Sequence, residues 1–168
     1  MSRRPFPWIF PYGEDVVSRT SKVVDRLILR PFLPVSIVGL EEQRVLALVD
    51  SGAEHTLSGQ GFARLIGVEP DPDRALTLGV GGAWRIAHFA DVTLRLSPPG
   101  APPTEFVEWH TQVGFFTQWE PPYGLLLGQI GFFDHFTVTM SRHSQALAIE
   151  SVDEFDQRFN IQIEQAGR

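Results

Sequence analysis

Short apolar runs separated by groups of glycine, proline and polar residues run through most of the chain, a pattern that favours strands over long helices. Leu27 to Leu40 and Arg44 to Val49 are two such runs, split by Glu41, Glu42 and Gln43. They predict a hairpin whose second strand is buried and ends at Asp50. Ser58, followed by Phe62, Leu65 and Ile66 on one helical face and then Gly67, predicts a short helix with Ser58 as its N-cap. Residues 75–96 give Leu76 and Leu78, then Gly79-Val80-Gly81-Gly82, then the alternation Trp84, Ile86, His88, Ala90, Val92, Leu94, Leu96. A long hairpin with a glycine tip is the reading. Ser97 to Pro103 cannot donate a continuous ladder and is expected to be an exposed connection.

Further on, Phe106 to Val113 is strand-like, Pro121 to Gly124 is a turn, and Leu125-Leu126-Leu127 is a buried run closed by Gly128. Gly131 to Phe136 suits one helical turn, and strands are expected at Thr137 to Met140 and Ala146 to Glu150. Ser151 and Glu154 have the spacing of a capping box, with Val152, Phe155 and Phe159 following at helical intervals. From Phe159 the period changes. Phe159, Ile161 and Ile163 alternate with polar residues, so this end is expected to be extended, and either it or the N-terminal arm to pair between subunits. The aromatics between Pro5, Pro7 and Pro11 are expected to pack as an arm without forming a regular ladder. The expected organisation is therefore an arm over residues 1–22, one domain over 23–150 and a tail over 151–168. The expected fold class is all-β, with one or two short helices.

Composition narrows the chemistry. With 168 residues, 43% of them hydrophobic, one core is the prior. A formal net charge of -6 offers no basic surface to compensate phosphates, which argues against nucleic acid as a partner. The absence of cysteine excludes disulfides, a thiol nucleophile and thiolate metal sites. Prolines break the N-terminal apolar patch, so neither a secretory signal nor a membrane span is expected and a cytoplasmic location is. His55, His88, His110, His135 and His143 show no helical metal-ligand spacing, and no metal or other cofactor is expected. Gly-x-Ser-x-Gly is absent. The glycine run at 79–82 precedes a strand and no lysine follows, which disfavours a phosphate loop and leaves a closing flap or a plain hairpin turn.

Asp50 stands at the end of an apolar strand, directly before Ser51 and Gly52. A buried strand would fix its carboxylate while Gly52 lets the backbone turn sharply and offers an amide to it. A turn aspartate at a strand end is the simpler use of such a triplet. The run Ala47-Leu48-Val49-Asp50-Ser51-Gly52-Ala53 resembles the active-site signature of aspartic peptidases of the retropepsin type. A glycine-tipped hairpin and the apolar-apolar-glycine segment Leu126-Leu127-Gly128 follow in the order that family has them.

The resemblance covers roughly residues 27–150 and implies a closed acid-protease barrel with one lobe per chain. It implies that Asp50 is the catalytic aspartate, that Ser51 braces two catalytic loops against each other, and that Gly52 and Ala53 form the turn. Glu54, His55 and Thr56 would line substrate subsites, with His55 less usual for the family. Gly79, Val80, Gly81 and Gly82 would form the flap tip, with Trp84 on the returning strand, and Leu126, Leu127 and Gly128 the segment crossing behind the catalytic loop. Retroviral members carry an arginine where this chain has Gln129, and Leu127 to Phe133 is more similar to cellular and bacterial relatives. No second Asp-Thr/Ser-Gly occurs, so the two-carboxylate mechanism implies a homodimer acting on an extended peptide or protein. The other implied role is an inactive domain of the same fold that binds peptides or assembles with partners.

Overall fold

Residues 5–14, 28–40, 44–119 and 121–161 are described by the computed structural model. In chain order the elements are β1 (Trp8–Pro11), β2 (Gly13–Glu14), β3 (Leu29–Arg30), β4 (Phe32–Ile37), β5 (Arg44–Val49), β6 (Leu57–Gly59) and α1 (Gln60–Leu65). There follow β7 (Asp71–Val80), β8 (Ala83–Leu96), β9 (Val107–Phe116), β10 (Leu125–Leu127), β11 (Phe136–Ser141), β12 (Ala146–Ser151) and α2 (Val152–Phe159).

The main sheet runs β4-β5-β10-β6-β9-β8-β7, and β4 also pairs with β8 through Val35↔Leu96 to Ile37↔Leu94. That pairing closes six strands into a barrel and leaves β7 outside as the free arm of a hairpin. Closure removes the open edges that would otherwise offer unpaired amides. The expected all-β class and closed barrel are those of the structure. No helix among the described residues is long and apolar enough to cross a membrane.

Two apolar clusters explain why several strands are apolar without alternation. Leu125 and Leu127 of β10 point into the main core with Leu33, Val35 and Val113, whereas Leu126 joins a second cluster with Leu57, Ala87, Phe89 and Phe116. β10 is thus covered on both faces, which requires the uninterrupted Leu-Leu-Leu. Likewise Phe115 faces the main core and its neighbour Phe116 the second cluster.

Three local expectations are corrected. The first concerns the arm, where β1 is a regular strand, paired antiparallel with β12 from Trp8↔Ile149 to Pro11↔Ala146. The Tyr12 N–H donates to the Gln145 carbonyl at 2.8 Å. Counting back by two puts the Phe10 and Trp8 amides on the inner, bonded side and Pro11 on the outer one, where a missing donor costs nothing. Trp8 and Phe10 are buried in the main core.

The second correction is at α1, whose N-cap is Gly59 with no side-chain cap. Ser58 lies in β6 instead, and its buried hydroxyl donates to the Gly124 carbonyl at 2.6 Å. Third, Phe159 ends α2 rather than starting a strand, because Asn160 turns the backbone into the left-handed region at φ 51°. Ser151 caps α2 as expected, with the Glu154 N–H donating to Ser151 Oγ at 3.3 Å, but the Glu154 carboxylate accepts from the Ser151 hydroxyl, also at 3.3 Å, where a capping box would have it accept from the Ser151 N–H. The residues beyond Ile161, where an intersubunit strand was expected, lie outside the described residues, as do residues 1–4, 15–27 and 41–43.

Because Phe10 fills the core from the arm, Phe10→Ala should cost about 3–5 kcal/mol and lower the melting temperature by roughly 10 °C. Thermal or urea melts check this, and a wild-type melt would mean that the arm does not dock.

Candidate functional site

β5 and β6 are consecutive in the chain, yet β10 lies between them, parallel to β5 and antiparallel to β6. The connection 50–56 must therefore cross over the end of β10. At the crossing the Asp50 N–H donates to the Leu127 carbonyl at 3.0 Å, the Gln129 N–H to Ala53 at 2.9 Å and the Ile130 N–H to Glu54 at 2.7 Å. The Thr56 N–H donates to Ile130 at 3.0 Å. Gly128 lies directly beneath. A Cβ there would be driven into the His55 carbonyl and would stand 2.9 Å from the Ala53 oxygen.

Asp50 is half-buried at the end of β5, and its Oδ1 accepts the Gly52 N–H at 2.9 Å. The Ala53 N–H returns to the Asp50 carbonyl at 3.2 Å, closing a tight turn. Oδ2 has no hydrogen-bond partner among the described residues. The carboxylate is thus oriented by one backbone donor and retains an oxygen for another ligand.

Opposite this turn stands the β7–β8 hairpin. Its two-residue loop, Gly81 and Gly82, has φ of +59° and +80°, as the twist-compatible hairpin turn requires. Between turn and hairpin lies a cleft of about 320 Å³. Asp50, Gly52, Ala53, Glu54 and His55 line one wall, Leu78, Gly79, Val80 and Gly81 the other, and Leu57 and Leu126 the floor. The His55 ring is held edge-on against Phe89, with ring centroids 5.3 Å apart.

Most of the sequence-predicted residues meet at this cleft. Ser51 is exposed beside it, Gly82 completes the turn, and Leu127 and Gly128 are buried behind. Trp84 is on the other face of the hairpin, 80% exposed and packed over Gly79, so it does not line the cleft. Thr56, expected along the subsites, is fully buried. Its hydroxyl donates to the Ile130 carbonyl at 3.1 Å and accepts the Gly128 N–H at 3.3 Å. Among the described residues no group of three or more His, Asp or Glu could hold a metal.

Sequence reading missed the floor residue Leu57, and it missed Arg85, whose Nη1 donates to the Gln118 carbonyl at 3.0 Å and ties the hairpin to the loop after β9. Leu78 shares the parity of Val80, a signal that could have placed it in the cleft. At the hairpin base, Arg74 meets Asp91 in a two-pronged pair, Nη1–Oδ2 at 3.0 Å and Nη2–Oδ1 at 3.3 Å. Hydrogen bonding from Arg74 is the main cause that holds the Asp91 carboxyl below its ordinary 3.8.

No protein-family model matches the chain, and no curated protein matches it. Among solved structures it is similar to the crystal structure of the retroviral protease-like domain of Ddi1 from Leishmania major. That likeness has 16% sequence identity and a TM-score of 0.45, and it covers 74% of this chain and 95% of that one.

Gly128→Ala should cost roughly 2–3 kcal/mol, because the added methyl must push the crossing loop off β10. A drop of about 5–10 °C in melting temperature reports it, and an unchanged melt would refute the close packing.

The depressed Asp91 acid means that its pair stabilises the fold above the ordinary value of 3.8, a contribution lost as pH falls through the lower folded value. Wild type and Asp91→Asn should therefore differ in melting temperature near neutrality and converge on acidification toward about pH 2. The difference should be small, since the pair is exposed, and should shrink with salt.

Proposed function

We propose that this chain is an aspartic endopeptidase of the retropepsin type that works as a homodimer. The observation that carries the proposal is the placement of Asp50. Its carboxylate ends β5, where Ala47 and Val49 are buried although Arg44 and Leu46, against expectation, are exposed; it is aimed by the Gly52 amide and faces a cleft roofed by a glycine-tipped hairpin. A monomer supplies one such acid. Two Asp50 carboxylates brought to about 3 Å would repel by roughly 5 kcal/mol at an effective dielectric near 20, about 4 pKa units, and so would share one proton. The ionised partner then takes a proton from water as that water attacks the scissile carbonyl, and the protonated partner donates to the carbonyl oxygen. This route uses neither a metal nor a covalent intermediate.

The substrate in this reading is an extended polypeptide lying between hairpin and crossing loop, held through main-chain hydrogen bonds. Leu57, Leu78, Val80 and Leu126 give the cleft an apolar lining, which suits a large apolar side chain beside the scissile bond. Ser51, exposed at the turn, is the group available to brace one loop against its twin.

Asp50→Asn should lower peptide turnover at least about a thousandfold while leaving the melt and the sedimentation profile as in wild type. Full turnover by the variant would end the proposal. A crystal structure of the dimer with the two carboxylates far apart would instead favour the binding or assembly role.

A further inference from the structure

Gln129 stands directly after the crossing, and it grips the catalytic turn twice. Its backbone N–H donates to the Ala53 carbonyl at 2.9 Å, and its side-chain Nε2 donates to the Ser51 carbonyl at 2.7 Å. The Ser51 carbonyl and the Gly52 N–H belong to the same peptide unit, which is planar and trans, so the two groups point in opposite directions. Pinning the carbonyl therefore sets where the N–H points, and that N–H is the donor to Asp50 Oδ1 at 2.9 Å. The other bonds from β10 and its continuation to this turn are made by backbone groups. Apart from the Asp50 carboxylate itself, the Gln129 amide is the one side chain among the described residues that bonds this peptide plane.

We propose that Gln129 is a positioning residue for Asp50, acting through the Ser51–Gly52 peptide. Without its amide, this exposed peptide can rotate and withdraw the Gly52 donor from the carboxylate. A misplacement of this kind at a reacting group costs far more in rate than in stability. The role in catalysis rests on the proposed peptidase activity, whereas the constraint on the turn does not.

Two substitutions separate the donor from the side chain's bulk. Gln129→Met keeps the length and removes the donor without adding charge. Gln129→Arg keeps donors at the cost of a longer side chain. In the full chain, Gln129→Met should lower kcat by about tenfold to a hundredfold with KM changed less than about threefold. Its melting temperature should stay near that of wild type, and Gln129→Arg should recover most of the lost kcat. Independently of turnover, amide exchange followed by NMR should show the Gly52 N–H exchanging at least about tenfold faster in Gln129→Met than in wild type or Gln129→Arg. Unchanged exchange at Gly52 in Gln129→Met overturns the positioning role, as does a Gln129→Arg protein as impaired as Gln129→Met. If wild type cleaves nothing while the exchange difference is present, the peptidase proposal falls and the constraint on the turn stands.

Discussion

One steric constraint underlies the arrangement: the connection between β5 and β6 has to pass over β10, and it passes where the chain has no side chain. A loop laid over other backbone has to satisfy its polar groups without help from water. Here the loop does so as a small ladder, with Asp50, Ala53, Glu54 and Thr56 bonded in turn to residues 127–130. Thr56 completes it, since its buried hydroxyl both donates and accepts at the point of crossing. The segment that carries the candidate carboxylate is therefore as tightly bonded as a strand, although it is a loop. Precision of this kind is what a reacting group needs and what most loops lack.

The same crossing joins the site to the stability of the barrel. β10 sends Leu125 and Leu127 into the main core and Leu126 into the second cluster, whose surface is the floor of the cleft. Phe89 belongs to that cluster and also fixes the ring of His55. Substitutions in this cluster would alter core packing and cleft shape together, because interiors at native density transmit a change of volume to their neighbours.

How much of this was legible in the sequence depended on whether the signal was local. Asp50 at a strand end, the glycine tip and the apolar run before Gly128 are each set by neighbours within a few residues, and the sequence displays them. The arm was misread because Pro11 excludes a ladder only if its nitrogen faces the partner strand, while Pro5 and Pro7 precede β1. The parity of Pro11 puts it on the outer edge, which nothing within the arm itself reveals. Ser58 was misread for a similar reason: its hydroxyl has a partner 66 residues away at Gly124, and that bond outcompetes a local cap. Leu57, Arg85 and the side chain of Gln129 matter through contacts between distant segments. The sequence has no periodicity that announces them.

The pairing register also divides the site into a fixed part and a yielding one. β8 keeps β9 as a neighbour only as far as Ala87↔Phe116, and from Ile86 to the tip it has β7 alone. A two-stranded ribbon is marginal in water, so this end of the hairpin can open at little cost while the six-stranded barrel stays closed. One restraint on it lies lower down, in the Arg74–Asp91 pair at its base, and one lies within it, in the Arg85 bond to Gln118 opposite Leu78. Leu78, Gly79, Val80 and Gly81, which form the cleft wall, lie within the ribbon, whereas Asp50 lies on the crossing. In the peptidase reading proposed above, a peptide would be admitted by bending one wall without disturbing the carboxylate on the other. That is the mechanical requirement of a site that must enclose a long chain and still hold its acid in place.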